Sequence, residues 1–311
     1  MTTDTAGTPT GTGAHVADPV IRTDGLTKHF GHTAALDSLD LTVPAGSVFG
    51  FLGPNGAGKT TAIRLLVGLL RPTSGTARVL GLDIVRDRRD VHRVIGYLPG
   101  DLAIDLELTG RQYLDYLGHL RGGIDPTVRA DLVDRFDLDL DRRIGAMSHG
   151  NRQKLGIVQA CMHRPRVLVL DEPTQGLDPI MQRSFLDLLR DVRERGDTVF
   201  LSSHVLSEVE DVADHVAVVR DGRLVATTSI DELRQRARRR IALTFADDAP
   251  LEALRTAPGV VEATAVDHTV ELVVEGSMAE LLRVAAPFGV DRVVSDEVDL
   301  TDVFLRMYEG R

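Results

Sequence analysis

The sequence predicts an α/β protein: a layered core on a parallel sheet, followed by a small α+β unit. Three observations predict it. Short apolar runs alternate with amphipathic helical patterns from Val20 to about residue 230, as in a sheet covered by helices. A glycine-rich segment at 53–61 follows one apolar run directly and opens a helical pattern. From residue 241 the order changes to strand, helix, strand, strand, helix, strand. At about 150 residues per domain, 311 residues suit two domains.

Taken in order, residues 1–19 are small and polar, with three glycines and six threonines, and read as a disordered tail. They have neither the basic start nor the apolar stretch of a secretory signal. Residues 39–43 and 48–52 read as strands around the Pro44-Ala45-Gly46 turn. Residues 59–70 read as a helix that stops at Arg71-Pro72-Thr73-Ser74-Gly75. From Gly110 to Leu140 the pattern is helical: Tyr113, Leu114, Leu117 and Leu120 recur at helical spacing, and a second amphipathic stretch follows Pro126. Strands at 166–170 and 198–202 bracket a helix at 180–195, and 215–220 with 223–227 form a hairpin around Asp221-Gly222. A boundary falls near 231–240, where Arg234, Arg236, Arg238, Arg239 and Arg240 crowd a helix. Strands at 241–245, 260–266, 270–274 and 290–294, with helices at 251–257 and 278–288, give the βαββαβ order of a ferredoxin-like unit, closed by a helix at 300–308. The expected division is a tail at 1–19, a first domain at 20–230 and an accessory domain at 231–311.

Composition narrows the function. Asp plus Glu is 46 against 36 Lys plus Arg, a formal charge of −10 that disfavours a nucleic-acid partner while leaving room for one small polyanion in a local pocket. Residues 231–311 hold 16 acids and 10 arginines, −6 of that charge. A spanning helix needs about 20 consecutive apolar residues, and runs such as 65–70 and 167–170 are far shorter. The single cysteine, Cys161, forms no internal disulfide, suits a reducing cytosol and reads as a small buried apolar residue.

The strongest motif is Gly53-Pro54-Asn55-Gly56-Ala57-Gly58-Lys59-Thr60-Thr61, which matches G-x-x-x-x-G-K-[ST] in its required strand-to-helix context. Glycines let backbone wrap close to phosphate, and successive N–H groups at a helix N-terminus make an anion cradle. Lys59 adds a point charge for β- and γ-phosphates, and Thr60 offers a hydroxyl to Mg2+. Lys59 is one of three lysines against 33 arginines, which suggests a specific need. The second motif is Val167-Leu168-Val169-Leu170-Asp171-Glu172, a buried strand ending in two carboxylates at the edge where α/β folds bind ligands. Asp171 is expected to hold Mg2+ through water, and Glu172 to polarise the attacking water. Alone, the pair also reads as a solvated acidic turn.

The order Gly53–Thr61, Met147-Ser148-His149-Gly150-Asn151, Leu170-Asp171-Glu172-Pro173, Gly176-Leu177-Asp178 and His204 resembles the ATP-binding cassette ATPases, over about residues 20–230. The stretch from Ser148 to Pro179, and the C-terminal appendage, are similar to the nucleotide-binding subunits of drug and antibiotic exporters. The resemblance implies a P-loop NTPase-type cassette with a helical insertion at about 100–150, binding ATP and Mg2+. It implies that a second copy pairs head to tail with the first, so that ATP on one copy's phosphate loop lies under Ser148 and Gly150 of the other. Asp178 then belongs to a loop crossing that interface, His204 is the switch histidine at the γ-phosphate, and Phe30 stacks on adenine. A separately encoded transmembrane permease is the implied partner, which sets the chain on the cytoplasmic face of a membrane. Read singly, Ser148 with Gly150 is also an ordinary helix cap, His204 a helix-start residue and Phe30 a core aromatic. The sequence departs from the family pattern at Gly100, where a glutamine usually stands before Asp101, and at His149 and Asn151 of the Ser-x-Gly motif. Gly100 therefore motivates a regulatory nucleotide-binding module as an alternative, against which Glu172 and His204 stand. A soluble, non-transport cassette ATPase is the other alternative, and the single cassette and acidic charge disfavour it.

Overall fold

The computed structural model describes residues 18–236, 238–276, 278–295 and 300. Most of the expected N-terminal tail, and the expected final helix beyond Leu300, lie outside the described residues. The first half of the chain runs β1 (Ile21–Phe30), β2 (Thr33–Val43), β3 (Val48–Leu52), α1 (Lys59–Leu66), β4 (Ser74–Val79), β5 (Leu82–Asp83), α2 (Arg88–Val94) and β6 (Ile95–Leu98). Helices α3 (Gly110–Leu120), α4 (Pro126–Arg135) and α5 (His149–Cys161) follow. The chain then returns to β7 (Val167–Asp171), α6 (Pro179–Glu194), β8 (Thr198–Ser203), β9 (His215–Arg220), β10 (Arg223–Ser229) and α7 (Ile230–Arg236). The last part is β11 (Arg238–Phe245), α8 (Leu251–Arg255), β12 (Val260–Val266), β13 (Thr269–Glu275), α9 (Met278–Ala285) and β14 (Val290–Ser295).

The main sheet has the order β10-β9-β3-β8-β7-β6, parallel from β9 to β6, with β10 added as an antiparallel edge. Strands β3, β7 and β8 are buried at every position, which is why they read as continuous apolar runs. Alternate residues serve opposite faces. Val48, Leu52, Leu168, Leu170, Val199 and Leu201 pack into a cluster with α3, α5 and α6 residues. Phe49, Phe51, Val167, Val169 and Phe200 pack with α1 and the antiparallel sheet β2-β1-β4-β5. Asp221 and Gly222 both have positive φ, as a two-residue hairpin turn between β9 and β10 requires. The C-terminal strands form a separate antiparallel sheet, β12-β13-β11-β14, whose apolar face (Ile241, Leu243, Phe245, Val270, Leu272, Val274) closes on Leu254 of α8 and Leu281 of α9.

Three sequence expectations are corrected. Helix α1 ends at Leu66 rather than 70, because Gly68 at φ 69° turns the chain back. Arg238, Arg239 and Arg240 lie in β11, opposite Glu275, Val274 and Val273, while the helix stops at Arg236. Their alternation runs straight into Ile241, Leu243 and Phe245, so the period is two, not 3.6. Strand β2 starts at Thr33, and β1, bulged at three points along its pairing with β2, has no clean alternation to betray it. Among the described residues, no helix is long and apolar enough to cross a membrane.

Candidate active site

The site begins where β3 ends. Gly53 donates its N–H to Ser203 O at 3.3 Å, tying the loop to the end of β8. A Cβ on Gly53 would stand 2.3 Å from Val219 O, and one on Gly58 (φ 102°) 2.5 Å from Ala35 O, so both positions require glycine. Pro54, Asn55 and Gly56 arch outward, exposed, and Ala57 N–H closes the arch on Pro54 O at 3.1 Å. Gly58 caps α1 without a side-chain acceptor, leaving its first N–H groups to an anion. Thr60 and Thr61 are half-buried in that first turn.

Lys59 turns inward, only 6% exposed, and donates to Gly53 O at 2.6 Å and Pro54 O at 3.3 Å. Its Nζ also lies 3.1 Å from Glu172 Oε1. That contact is an ion pair off the hydrogen-bond direction, and Oε1 has no hydrogen-bond donor. Glu172 follows β7 at φ 48°, a left-handed conformation that costs a non-glycine residue about 1–3 kcal/mol and turns its side chain into the site. Its other oxygen meets His204 Nδ1 at 2.9 Å. Asp171, 1% exposed, accepts from Ser202 Oγ at 2.7 Å, and the same hydroxyl receives Glu172 N–H at 3.1 Å. Ser202 is the residue that sequence reading missed; its signal is a serine ending an apolar strand just before Ser203-His204. Thus Gly53 to Thr61, Asp171, Glu172 and His204 converge at the carboxyl ends of β3, β7 and β8.

Ser148, Gly150 and Asp178 gather in a second place. Ser148 caps α5, accepting Asn151 N–H on Oγ at 3.2 Å, and Asp178 caps α6, accepting Met181 N–H at 3.0 Å. A Cβ on Gly150 would stand 2.7 Å from Gly176 O, and one on Gly176 2.3 Å from His149 Nδ1. The two loops are therefore in contact. Gln153 donates to Pro173 O at 2.9 Å and joins this cluster to the segment after Glu172. Among the described residues, no hydrogen bond or ion pair links Ser148, Gly150 or Asp178 to residues 53–61. Phe30 ends β1 at 51% exposure, with Lys28 Nζ 5.1 Å from its ring centre. Gly100 lies against Asp171, where a Cβ would be 3.4 Å from Oδ2, and Asp101 is exposed.

Comparison with known proteins adds to this geometry. The sequence profile of the ABC transporter family matches residues 36–175. The bacitracin transport ATP-binding protein BcrA of Enterococcus faecalis is 35% identical over 304 residues, 95% of this chain and 98% of that one. The chain belongs to the ABC transporter ATP-binding proteins. The daunorubicin resistance ATP-binding protein DrrA3 of Streptomyces coeruleorubidus is 44% identical, over 70% of this chain and 71% of its own. A solved ATP-binding subunit of an ABC transporter superposes at a TM-score of 0.65 with 26% identity, covering 69% of this chain and 92% of that one. An ABC ATPase hydrolyses ATP to drive transport, and the groups gathered at the ends of β3, β7 and β8 are the candidates for that chemistry.

Proposed function

We propose that this ABC ATPase energises the export of a drug or antibiotic, working as a pair of identical chains on a separately encoded transmembrane permease. The names of the bacitracin and daunorubicin relatives support the class of compound. The chain's place is then the cytoplasmic face of the membrane. The single observation that carries the chemistry is the run of contacts Lys59–Glu172–His204, which sets a cation, a carboxylate and an imidazole in line beside a glycine cradle.

In the proposed cycle the triphosphate lies in the loop of Gly53, Pro54, Asn55, Gly56, Ala57 and Gly58, cradled by the N–H groups of Asn55, Gly56 and Gly58 and of the first turn of α1, with Thr60 and Thr61 at its rim. Lys59 exchanges Glu172 for phosphate oxygens. Glu172, released, accepts a proton from the attacking water, and His204 holds Glu172 and the γ-phosphate in register. The Thr60 hydroxyl and the Asp171 carboxylate are hard oxygen donors of the kind Mg2+ takes, and Asp171 keeps Oδ2 free of Ser202. Held by these donors, Mg2+ would neutralise part of the triphosphate's charge. Phe30 is the platform for adenine. Ser148, Gly150 and Asp178 serve the nucleotide of the opposite copy, since they share no bond with their own phosphate loop.

The cassette comprises residues 20–230 with its helical insertion at about 100–150. Helix α7 goes with it, because Ile230 and Leu233 belong to its core. Residues 231–311 otherwise form the accessory unit, read as ferredoxin-like because the order βαββαβ and the strand order β12-β13-β11-β14 are those of that arrangement. The test is a pair of variants. Lys59→Ala, losing a charge-assisted contact of about 1.5–3 kcal/mol, is expected to weaken nucleotide binding roughly 10- to 100-fold. Glu172→Gln is expected to bind ATP at least as tightly and to lose about 10²–10⁴-fold in turnover. Normal hydrolysis by Lys59→Ala would overturn the assignment.

A further inference from the structure

Lys28 has no part in the reading above, yet its position is specific. It is one of only three lysines in the chain. On β1 it pairs across the strands with Leu36 of β2, and Leu36 Cδ2 lies 2.9 Å from where a Cβ on Gly58 of the phosphate loop would stand. Its stem is half-buried, and its Nζ donates to Arg71 O at 2.8 Å, just past the end of α1. The ammonium is thus held on one side of Phe30, 5.1 Å from the ring centre, within the range of a cation–π contact. The ring itself stays half-exposed at the tip of the strand pair, where β1 and β2 meet at Phe30 and Thr33.

We propose that Lys28 is a positioning residue for the nucleotide base, acting through Phe30. This rests on the reading of Phe30 as the adenine platform. Two physical effects combine. Tied to the Arg71 carbonyl, Lys28 occupies one ring face and fixes the ring's swing, so that a single face is presented to the base. Its charge also draws π-density toward that covered face, leaving the open face less negative and better matched to an electron-rich purine. A phenylalanine has no hydroxyl to orient it, and the lysine supplies that orientation from outside.

The test is equilibrium binding of a non-hydrolysable ATP analogue and of inorganic tripolyphosphate to the full chain. Lys28→Gln keeps a stem and a donor for Arg71 O while removing the charge; Lys28→Met removes both. Each is expected to raise the Kd of the ATP analogue about threefold and to leave that of tripolyphosphate unchanged. Lys28→Arg, which keeps the cation, is expected to stay within twofold of wild type, and Lys28→Gln is expected to add nothing in a Phe30→Ala background. Two results would sink the role of Lys28 alone: wild-type Kd in both Lys28 variants while Phe30→Ala binds weakly, or an equal loss for tripolyphosphate, which would assign the lysine to the phosphates. Wild-type binding by Phe30→Ala would instead remove the base platform, and the proposal with it.

Discussion

His163 stands two residues beyond α5 and touches the start of β6. Its Nε2 shares Ile95 O, at 3.1 Å, with Arg121 Nη2 at 3.3 Å, and its Nδ1 is buried without a partner. Burial, and then the charge of Arg121, push its pKa down from 6.5 to about 4. Since the folded value is the lower one, the unfolded chain takes up the proton first as pH falls. The stabilisation is whole above about pH 6.5 and drains away as pH drops toward 4. Asp83 and Asp125, both held below the usual 3.8 by backbone and side-chain donors, add their own acid sensitivity only beneath that window. Urea midpoints should therefore fall between pH 6.5 and 4.5, and His163→Gln should flatten that slope; an equal slope in the variant would remove the assignment. Cys161, nearby on α5, has its thiol pushed up to about 12 by burial, which agrees with its sequence reading as a small apolar residue. His163 itself was not legible in the sequence, because its partners Ile95 and Arg121 lie far from it along the chain. Lys59 and Asp171-Glu172 were legible, because each motif is contiguous and its neighbours set its geometry.

Helix ends carry the element-scale information. Thr109 and Gln112 form a full capping box on α3: Thr109 Oγ1 accepts Gln112 N–H at 3.2 Å, and Gln112 Oε1 accepts Thr109 N–H at 2.9 Å. Asp125 before Pro126 and Asp178 before Pro179 begin α4 and α6 with a single side-chain cap each, accepting Thr127 and Met181 N–H. Ser148 caps α5 with one hydrogen bond. Thr109→Ala and Ser148→Ala are each expected to cost about 1 kcal/mol in denaturant unfolding. Only Ser148→Ala is expected to lower ATP turnover as well, because only its helix tip is proposed to meet nucleotide; equal turnover in the two variants would make Ser148 a cap and nothing more. These starts could be read from Thr, Asp, Pro and Gln at fixed offsets. Stops were harder. The end of α1 depends on Gly68 taking φ 69°, and the passage from α7 to β11 depends on tertiary pairing of Arg238–Arg240 with β13, which overrides a charge-rich stretch of good helix formers.

At the scale of the whole molecule, two groups of motif residues lie in separate places of the same chain, and the proposal makes them halves of one site. The phosphate loop, Asp171, Glu172 and His204 gather a cation, carboxylates and an imidazole, while the loops of Ser148, Gly150 and Asp178 touch one another and, among the described residues, share no hydrogen bond or ion pair with the phosphate loop. The order of these motifs was legible in the sequence itself; the separation between the two groups was implied there only by the family resemblance, since no local pattern carries it. A second copy turned head to tail would bring the open N–H groups at the start of α5 onto triphosphate held by the first, and the attraction is electrostatic and short-ranged. In that arrangement hydrolysis cleaves the γ-phosphate from the triphosphate between the copies, leaving ADP and phosphate, so a variant unable to hydrolyse should trap them together. Glu172→Gln in saturating MgATP is therefore expected to run in light scattering at about twice the 33.8 kDa of a single chain, and to return to single chains when nucleotide is removed. Adding Ser148→Arg, which puts a bulky side chain at the tip of α5, should abolish the doubled species without loosening the first copy's hold on ATP. A mass near 33.8 kDa for Glu172→Gln at every MgATP concentration would mean that the phosphate-loop group works alone, and Ser148 and Gly150 would then revert to being the start of a helix.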